Sequence, residues 1–363
     1  MKLKPTVHQP VVDKIAYLLA WGMDPEDDVE QLLSDVGERL KSAIAHDRCK
    51  KAYVKGQRYK LNFWVKLNGD KNDALVQIGP LQDRQKGGMR VAVNPRKLGN
   101  GDVELLHRTL RRIVGRSYYN RLMQAPLLNV LHIAVDIENL NLSRTIVRYK
   151  HGHRMTVVSK VVNQKSALVE TMNFGSVPSD YQTAVYDKRT ERLHQLAKSM
   201  LRDREAGAPL KANKVKQLRV LRGEPLMVRV EVRGRKLHGM PLHKLDGLTN
   251  FFGRFEFVAL GGDPAKAPTL TLQAFISMVY QLGLRPALAA FKNTQGARAV
   301  HKFWHDRQCG WWQPDELWSH VPDAVRATRL FPPAAFEVDE RADDGQPANE
   351  EEERVAPVCR RRR

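Results

Sequence analysis

Apolar and polar positions alternate with a period of two through 59–65 and again from Met89 to Asn94, where Pro95 ends the run. Both stretches predict half-buried strands. From 102 to 114 the period changes: Val103, Leu106, Leu110, Ile113 and Val114 fall at helical intervals, with Asp102 the expected N-cap after Gly99-Asn100-Gly101. Apolar strands are expected at 130–137, near 157–162 and at 167–172, the last running into Asn173-Phe174-Gly175-Ser176. A turn through Pro178-Ser179-Asp180 leads to a strand carrying Tyr186. A polar amphipathic helix at 190–204 follows, and Ala206-Gly207-Ala208-Pro209 breaks it. A further strand carries Glu231, and 241–248 reads as a short helix. From Thr269 onward helical spacing covers 270–284, 286–291, 296–304 and 314–320.

This order predicts an α+β fold, a twisted and mainly antiparallel sheet with helices packed on one side, in an arrangement that suits two similar halves. Residues 1–260 make the main domain, and 265–335 a small helical C-terminal domain after the boundary Gly261-Gly262-Asp263-Pro264. Residues 337–363 lose the apolar pattern, passing through the acidic block 350–353 to the basic cluster 360–363, and are expected to be a disordered tail. The plain reading of that tail is a solvated segment; the sharper one is an arm that touches DNA or masks the protein itself.

Charge narrows the partner. The 363 residues include 60 Lys+Arg against 40 Asp+Glu, a net charge of +20 that a polyanion would neutralise, and nucleic acid is the first candidate. No long apolar span, signal peptide or amphipathic anchor is visible, so a soluble cytoplasmic protein without a membrane partner is expected. Cys49, Cys309 and Cys359 lack metal-ligand spacing and read as reduced thiols.

Two short charged motifs hold the candidate chemistry. Val185-Tyr186-Asp187-Lys188-Arg189-Thr190-Glu191 and Arg229-Val230-Glu231-Val232-Arg233 both alternate as strands do, which places Tyr186 with Lys188 on one face and Arg229, Glu231 and Arg233 on another. Brought to one surface, they supply a hydroxyl nucleophile, an acid and cations, the groups needed to break a phosphodiester. Read without further context, the first is an edge strand with an ordinary ion pair and the second a salt-bridge network. Arg108, Arg111, Arg112 and Arg116 form a stripe on the 102–116 helix suited to phosphate contact. Lys292, Arg298, Lys302 and Arg307 are interleaved with Trp304, Trp311 and Trp312; a small core ranks ahead of base stacking there.

The string Asn173-Phe174-Gly175-Ser176, then Val185-Tyr186-Asp187-Lys188 with Glu191, then Val228-Arg229-Val230-Glu231-Val232-Arg233, resembles the replication initiation proteins of filamentous phages and the related plasmid rolling-circle initiators. Arg90-Val91-Ala92-Val93-Asn94-Pro95-Arg96-Lys97-Leu98 is similar to a strand and proline turn of those proteins, and the resemblance covers about 89–248. It implies a metal-dependent nicking endonuclease of the bacterial host cytoplasm that binds a duplex origin, starts rolling-circle replication and later rejoins the displaced strand. In that reading Tyr186 attacks the phosphodiester and stays on the 5′ phosphate, while Lys188 favours the phenolate or neutralises the phosphate. Glu231 is the first metal ligand for Mg²⁺ or Mn²⁺, and Arg229 and Arg233 grip phosphate oxygens. Implied partners are origin duplex, single-stranded DNA and a host helicase and polymerase, with room for a homodimer.

The chain departs from the family's pattern where relatives carry Arg-x-Asp, since here the strand reads Leu131-His132-Ile133-Ala134-Val135-Asp136-Ile137-Glu138. His132, Asp136 and Glu138 share a face and are offered as metal ligands, the alternative being a polar sheet surface. Tyr181 is the rival nucleophile and Tyr118-Tyr119 a more distant one, with Tyr119 read as a packing residue. His151-Gly152-His153 resembles the paired histidines of other nicking enzymes but suits a turn better; His238 and His243 read as surface groups. Lys86-Gly87-Gly88 lacks the setting of a nucleotide-binding loop. A mobilisation relaxase of the same chemistry and a non-catalytic DNA-binding regulator remain as alternatives.

Overall fold

The computed structural model describes residues 4–56, 58–68, 73–81, 87–142, 145–150, 158–162, 169–175, 179–207, 209, 212–259, 269–282, 284–306 and 309–337. The chain begins with β1 (Thr6–Val7), β2 (Val11–Leu19), α1 (Val29–Ala45), β3 (Cys49–Lys51), β4 (Tyr59–Val65), β5 (Ala74–Pro80) and β6 (Met89–Val93). It continues through α2 (Asp102–Val114), α3 (Arg116–Leu122), β7 (Leu127–Glu138), β8 (Thr145–Tyr149), β9 (Val158–Val162), β10 (Val169–Phe174) and β11 (Tyr181–Asp187). A helical hairpin, α4 (Lys188–Glu205) and α5 (Ala212–Gly223), leads to β12 (Met227–Gly234), β13 (Met240–Pro241) and β14 (Phe255–Ala259). The helices α6 (Leu270–Leu282), α7 (Leu284–Phe291), α8 (Ala297–Asp306), α9 (Pro314–Ser319) and α10 (Val321–Arg326) follow.

The fold is α+β, as the alternation of periods predicts. Among the described residues twelve strands form one sheet in the order β3-β4-β5-β6-β2-β7-β12-β11-β10-β9, with β1 and β13 also on β7, and every pairing is antiparallel. β8 and β14 pair separately. The two halves meet at β2 and β7. In the first, β6 returns beside its opening strand β2 with the meander β3-β4-β5 beyond it; in the second, β12 returns beside its opening strand β7 with the meander β9-β10-β11 beyond it, so along the main order the halves repeat one five-strand plan.

One face of the sheet is apolar. Ile15, Tyr17, Val91, Val93, Ile133, Val135, Val185, Val228 and Val230 belong to the main core, with Leu40 of α1 and Leu106, Leu110 and Ile113 of α2. The period of two in the strands then dictates that the opposite face carries the polar residues. Asp102, expected as the cap of α2, is instead its first residue after Gly101; its buried carboxylate accepts from the N–H groups of Gly99 and Asn68 at 2.7 and 2.9 Å. Gly88 marks a close approach of chains, since a Cβ there would lie 1.6 Å from the Trp21 carbonyl oxygen. That is why glycine stands in Lys86-Gly87-Gly88, of which Lys86 lies outside the described residues.

The C-terminal helices divide rather than forming one separate domain. Phe275, Val279, Val300, Phe303 and Trp304 of α6 and α8 make a small core with Ile146 and Val258. Val321, Val325, Leu330 and Phe331 join the main core instead, Phe331 meeting Tyr17 edge-on at 5.0 Å. The tryptophans follow the core reading: Trp304 and Trp312 are buried and Trp311 packs on Phe257. The boundary 261–264, His151-Gly152-His153, Arg307 and the tail from 338 lie outside the described residues.

Candidate active site

The polar face is built where β7, β12 and β11 lie side by side. Antiparallel register sets Tyr186 opposite Arg229, Ala184 opposite Glu231 and Gln182 opposite Arg233; on the other side Arg229 faces Asp136 and Arg233 faces His132. Directly opposed residues share a face. The two motifs separated in sequence therefore lie on adjacent strands, with Tyr186, Arg229, Glu231, Arg233, His132 and Asp136 on one surface.

Their side chains are already engaged with one another. Arg229, 1 % exposed, donates from Nε and Nη2 to the two oxygens of Asp136 at 2.6 and 2.7 Å, and from Nη1 to Asp13 at 3.0 Å. Arg96, from the Pro95–Lys97 turn, adds a third guanidinium contact to Asp136 at 3.1 Å. Arg233 donates from Nε and Nη2 to the two oxygens of Glu231, each at 2.9 Å, and His132 Nδ1 lies 3.5 Å from the same carboxylate. Burial alone would raise the Glu231 carboxyl, but the His132 and Arg233 contacts overcome it and hold it at about 2.

These contacts correct three expectations. Arg229 is no free phosphate fork, because a fully buried guanidinium bound by two carboxylates has nothing left to offer. His132, Asp136 and Glu138 share a face but do not converge: His132 lies by Glu231, Asp136 holds arginines, and Glu138 is 3.4 Å from His8. Among the described residues no group of three or more His, Cys, Asp or Glu is placed to hold a metal ion. With the Glu231 and Asp136 oxygens each met by guanidinium, this donor set does not fit Mg²⁺ or Mn²⁺, which prefer free carboxylate oxygens.

Lys188 also differs from its expected place. It opens α4 rather than continuing the strand, since Asp187 caps the helix by accepting from the Thr190 N–H at 2.8 Å. Its Nζ still lies 5.5 Å from the centre of the Tyr186 ring, but it is paired with Glu191 at 2.8 Å. Tyr186 is buried at 8 % exposure, and burial, then Glu231, Glu191 and Asp13, push its phenol well above the ordinary value. Instead of a lysine-stabilised phenolate, the resting site holds a neutral phenol.

The rival tyrosines are elsewhere. Tyr181 is on the opposite side of β11, stacked on Phe251 at 4.1 Å. Tyr118 donates to Asp27, and Tyr119 is fully buried with its hydroxyl 2.8 Å from His107 Nδ1, a packing role as expected. His238 is an exposed group 3.6 Å from Asp180, and His243 is half-buried. Arg108, Arg111, Arg112 and Arg116 do cluster, around an open concavity of about 430 Å³ shared with Glu104. The expected 102–116 helix ends at Gly115, so Arg116 opens α3; the other three lie on α2, which packs on the apolar face across the sheet from Tyr186.

Asp13 and Arg96 were not singled out in the sequence. Asp13 reaches the site because β2 shifts register between Val12 and Lys14, and the extra residue takes a direction that alternation does not foretell. Arg96 lay in plain view, within the proline turn that the resemblance includes.

No family model matches the chain, and no curated protein matches it. Among solved structures, a rolling circle replication initiator protein from Geobacillus stearothermophilus aligns over 77 % of this chain and 98 % of its own, at 12 % identity and a TM-score of 0.33. With likeness at that depth, the site is read from its own residues. No helix among the described residues is long and apolar enough to cross a membrane.

Proposed function

We propose that the chain is a replication initiator that binds a duplex origin in the host cytoplasm and cuts one strand through Tyr186. The observation that supports this is the register of β11 on β12, which sets Tyr186 against the Arg229-Val230-Glu231-Val232-Arg233 strand, so that both sequence motifs meet on one polar face. In the proposed step the Tyr186 oxygen attacks phosphorus, the bond to the 3′ oxygen breaks, and a 5′-phosphotyrosine and a 3′ hydroxyl result; reversal rejoins the strand. Because the phenol is neutral at rest, its proton leaves as the oxygen attacks. Arg233 and Arg96, whose side chains are 25 % and 41 % exposed, are guanidinium groups of this face that reach solvent and the incoming phosphate charge. No step is assigned to a divalent cation.

A non-catalytic DNA-binding regulator is the second reading, favoured by the pairing of both buried carboxylates with arginine. One experiment separates the two. The protein and its Tyr186→Phe variant are incubated with supercoiled DNA carrying the adjoining intergenic region, with and without Mg²⁺. The initiator reading expects nicked circles and a covalent 5′ adduct from the unaltered protein alone. Nicking by both moves the nucleophile elsewhere, and binding without nicking by either leaves the regulator.

A further inference from the structure

The α4–α5 hairpin interrupts the site between its two strands and packs little of itself away. Among described residues α4 has no buried side chain and α5 only Leu221. Thirty residues carry ten Lys/Arg and three Asp/Glu, about a third of the net charge of +20. Nearby carboxylates account for part: Glu191 pairs with Lys188, Asp203 with Lys214 and Glu224 with Arg192. Lys198, Arg202, Arg204, Lys216, Arg219 and Arg222 are exposed and have no carboxylate partner among the described residues. This is the reverse of the Tyr186 face, where Arg229 and Arg233 are both held by acids.

We infer that this hairpin is a clamp for the phosphate backbone of duplex DNA, adjoining the cleavage strand at its root. Charge complementarity gives the polyanion, since guanidinium and ammonium groups without internal partners bind phosphate and release its counterions. The hairpin has no Phe, Tyr or Trp, so it lacks the stacking platforms by which single strands are held, and the duplex is favoured. Its root fixes where the duplex lies: α4 starts two residues after Tyr186, and α5 returns into the strand of Arg229 and Glu231. The inference rests on the DNA-handling part of the proposed function, not on cleavage.

The test compares the full chain with an Arg202→Gln/Arg219→Gln/Arg222→Gln variant, titrated by fluorescence anisotropy against a random-sequence duplex and a single strand of equal length across a salt series. Loss of three phosphate contacts makes the slope of log affinity against log salt shallower by about 2 to 3 on duplex. Duplex affinity falls at least tenfold, and single-strand affinity changes less. An unchanged slope, or a larger loss on single strand, overturns the clamp. A second variant, Lys198→Gln/Lys216→Gln, is expected to lower the slope by about 2 and keeps the test open if the first fails to fold. Tyr186→Phe is expected to retain the full slope. Absence of nicking with an intact hairpin slope sinks cleavage alone, whereas an unchanged slope beside normal nicking sinks the hairpin alone.

Discussion

Arg229 illustrates how one side chain acquires a role that spacing along its strand does not reveal. Its position opposite Tyr186 follows from alternation, but its buried fork on Asp136, with Asp13 at the remaining nitrogen, makes it a structural ion pair. Arg229→Ala leaves the buried Asp136 with Arg96 as its remaining arginine and removes the contact to Asp13, and a loss of about 3 kcal/mol is expected in urea unfolding. Glu231 gives a pH signature. Its carboxyl is held at about 2 against an ordinary value of 4.5, so its contribution is complete above about 4.5 and is lost as pH falls toward 2. Urea midpoints measured between those limits are expected to fall less steeply for Glu231→Gln than for the unaltered protein; parallel curves would refute the linkage.

At the scale of elements, periodicity made half of the described strands and six of the ten described α-helices legible, while β2, α1, β5 and α5 carry no expectation from it. Met89 to Asn94 ended at its proline, and the helical intervals of Leu106, Leu110 and Ile113 marked the buried stripe of α2. What periodicity cannot express is attachment. The 314–320 helix reads like those before it and 321–326 carries no helical expectation, yet Val325 is fully buried in the main core and Phe331 covers Tyr17. Phe331→Ala is expected to cost about 3 to 5 kcal/mol and, in calorimetry, to lower the transition of the sheet itself. A separate low-temperature transition that moves alone would mean the terminal helices fold apart from the sheet.

For the molecule as a whole, the sheet is a partition with a polar side carrying Tyr186 and an apolar side carrying α1, α2 and the terminal helices. Basic residues appear in both regions, but the arginines nearest Tyr186 are held by carboxylates while those of α2 cluster at the surface. A divalent cation that binds the native state raises its melting temperature by mass action. With its acids engaged, the free protein is expected to melt at the same temperature in millimolar Mg²⁺ or Mn²⁺ as in chelator. A clear upward shift would show a cation site that these pairs do not suggest.

The sequence by itself determined the class of fold, the alternation that puts Tyr186, Arg229, Glu231 and Arg233 on strand faces, and the excess of positive charge. These depend on local periodicity and composition, which survive without knowledge of neighbours. The tertiary structure alone decided which acid holds which arginine, that the Asp13 bulge reaches the site, that His132, Asp136 and Glu138 stay apart, and that α2 stands across the sheet. Those facts depend on strand order, register shifts and the low polarity of a buried face, where a charge is stable only beside its partner.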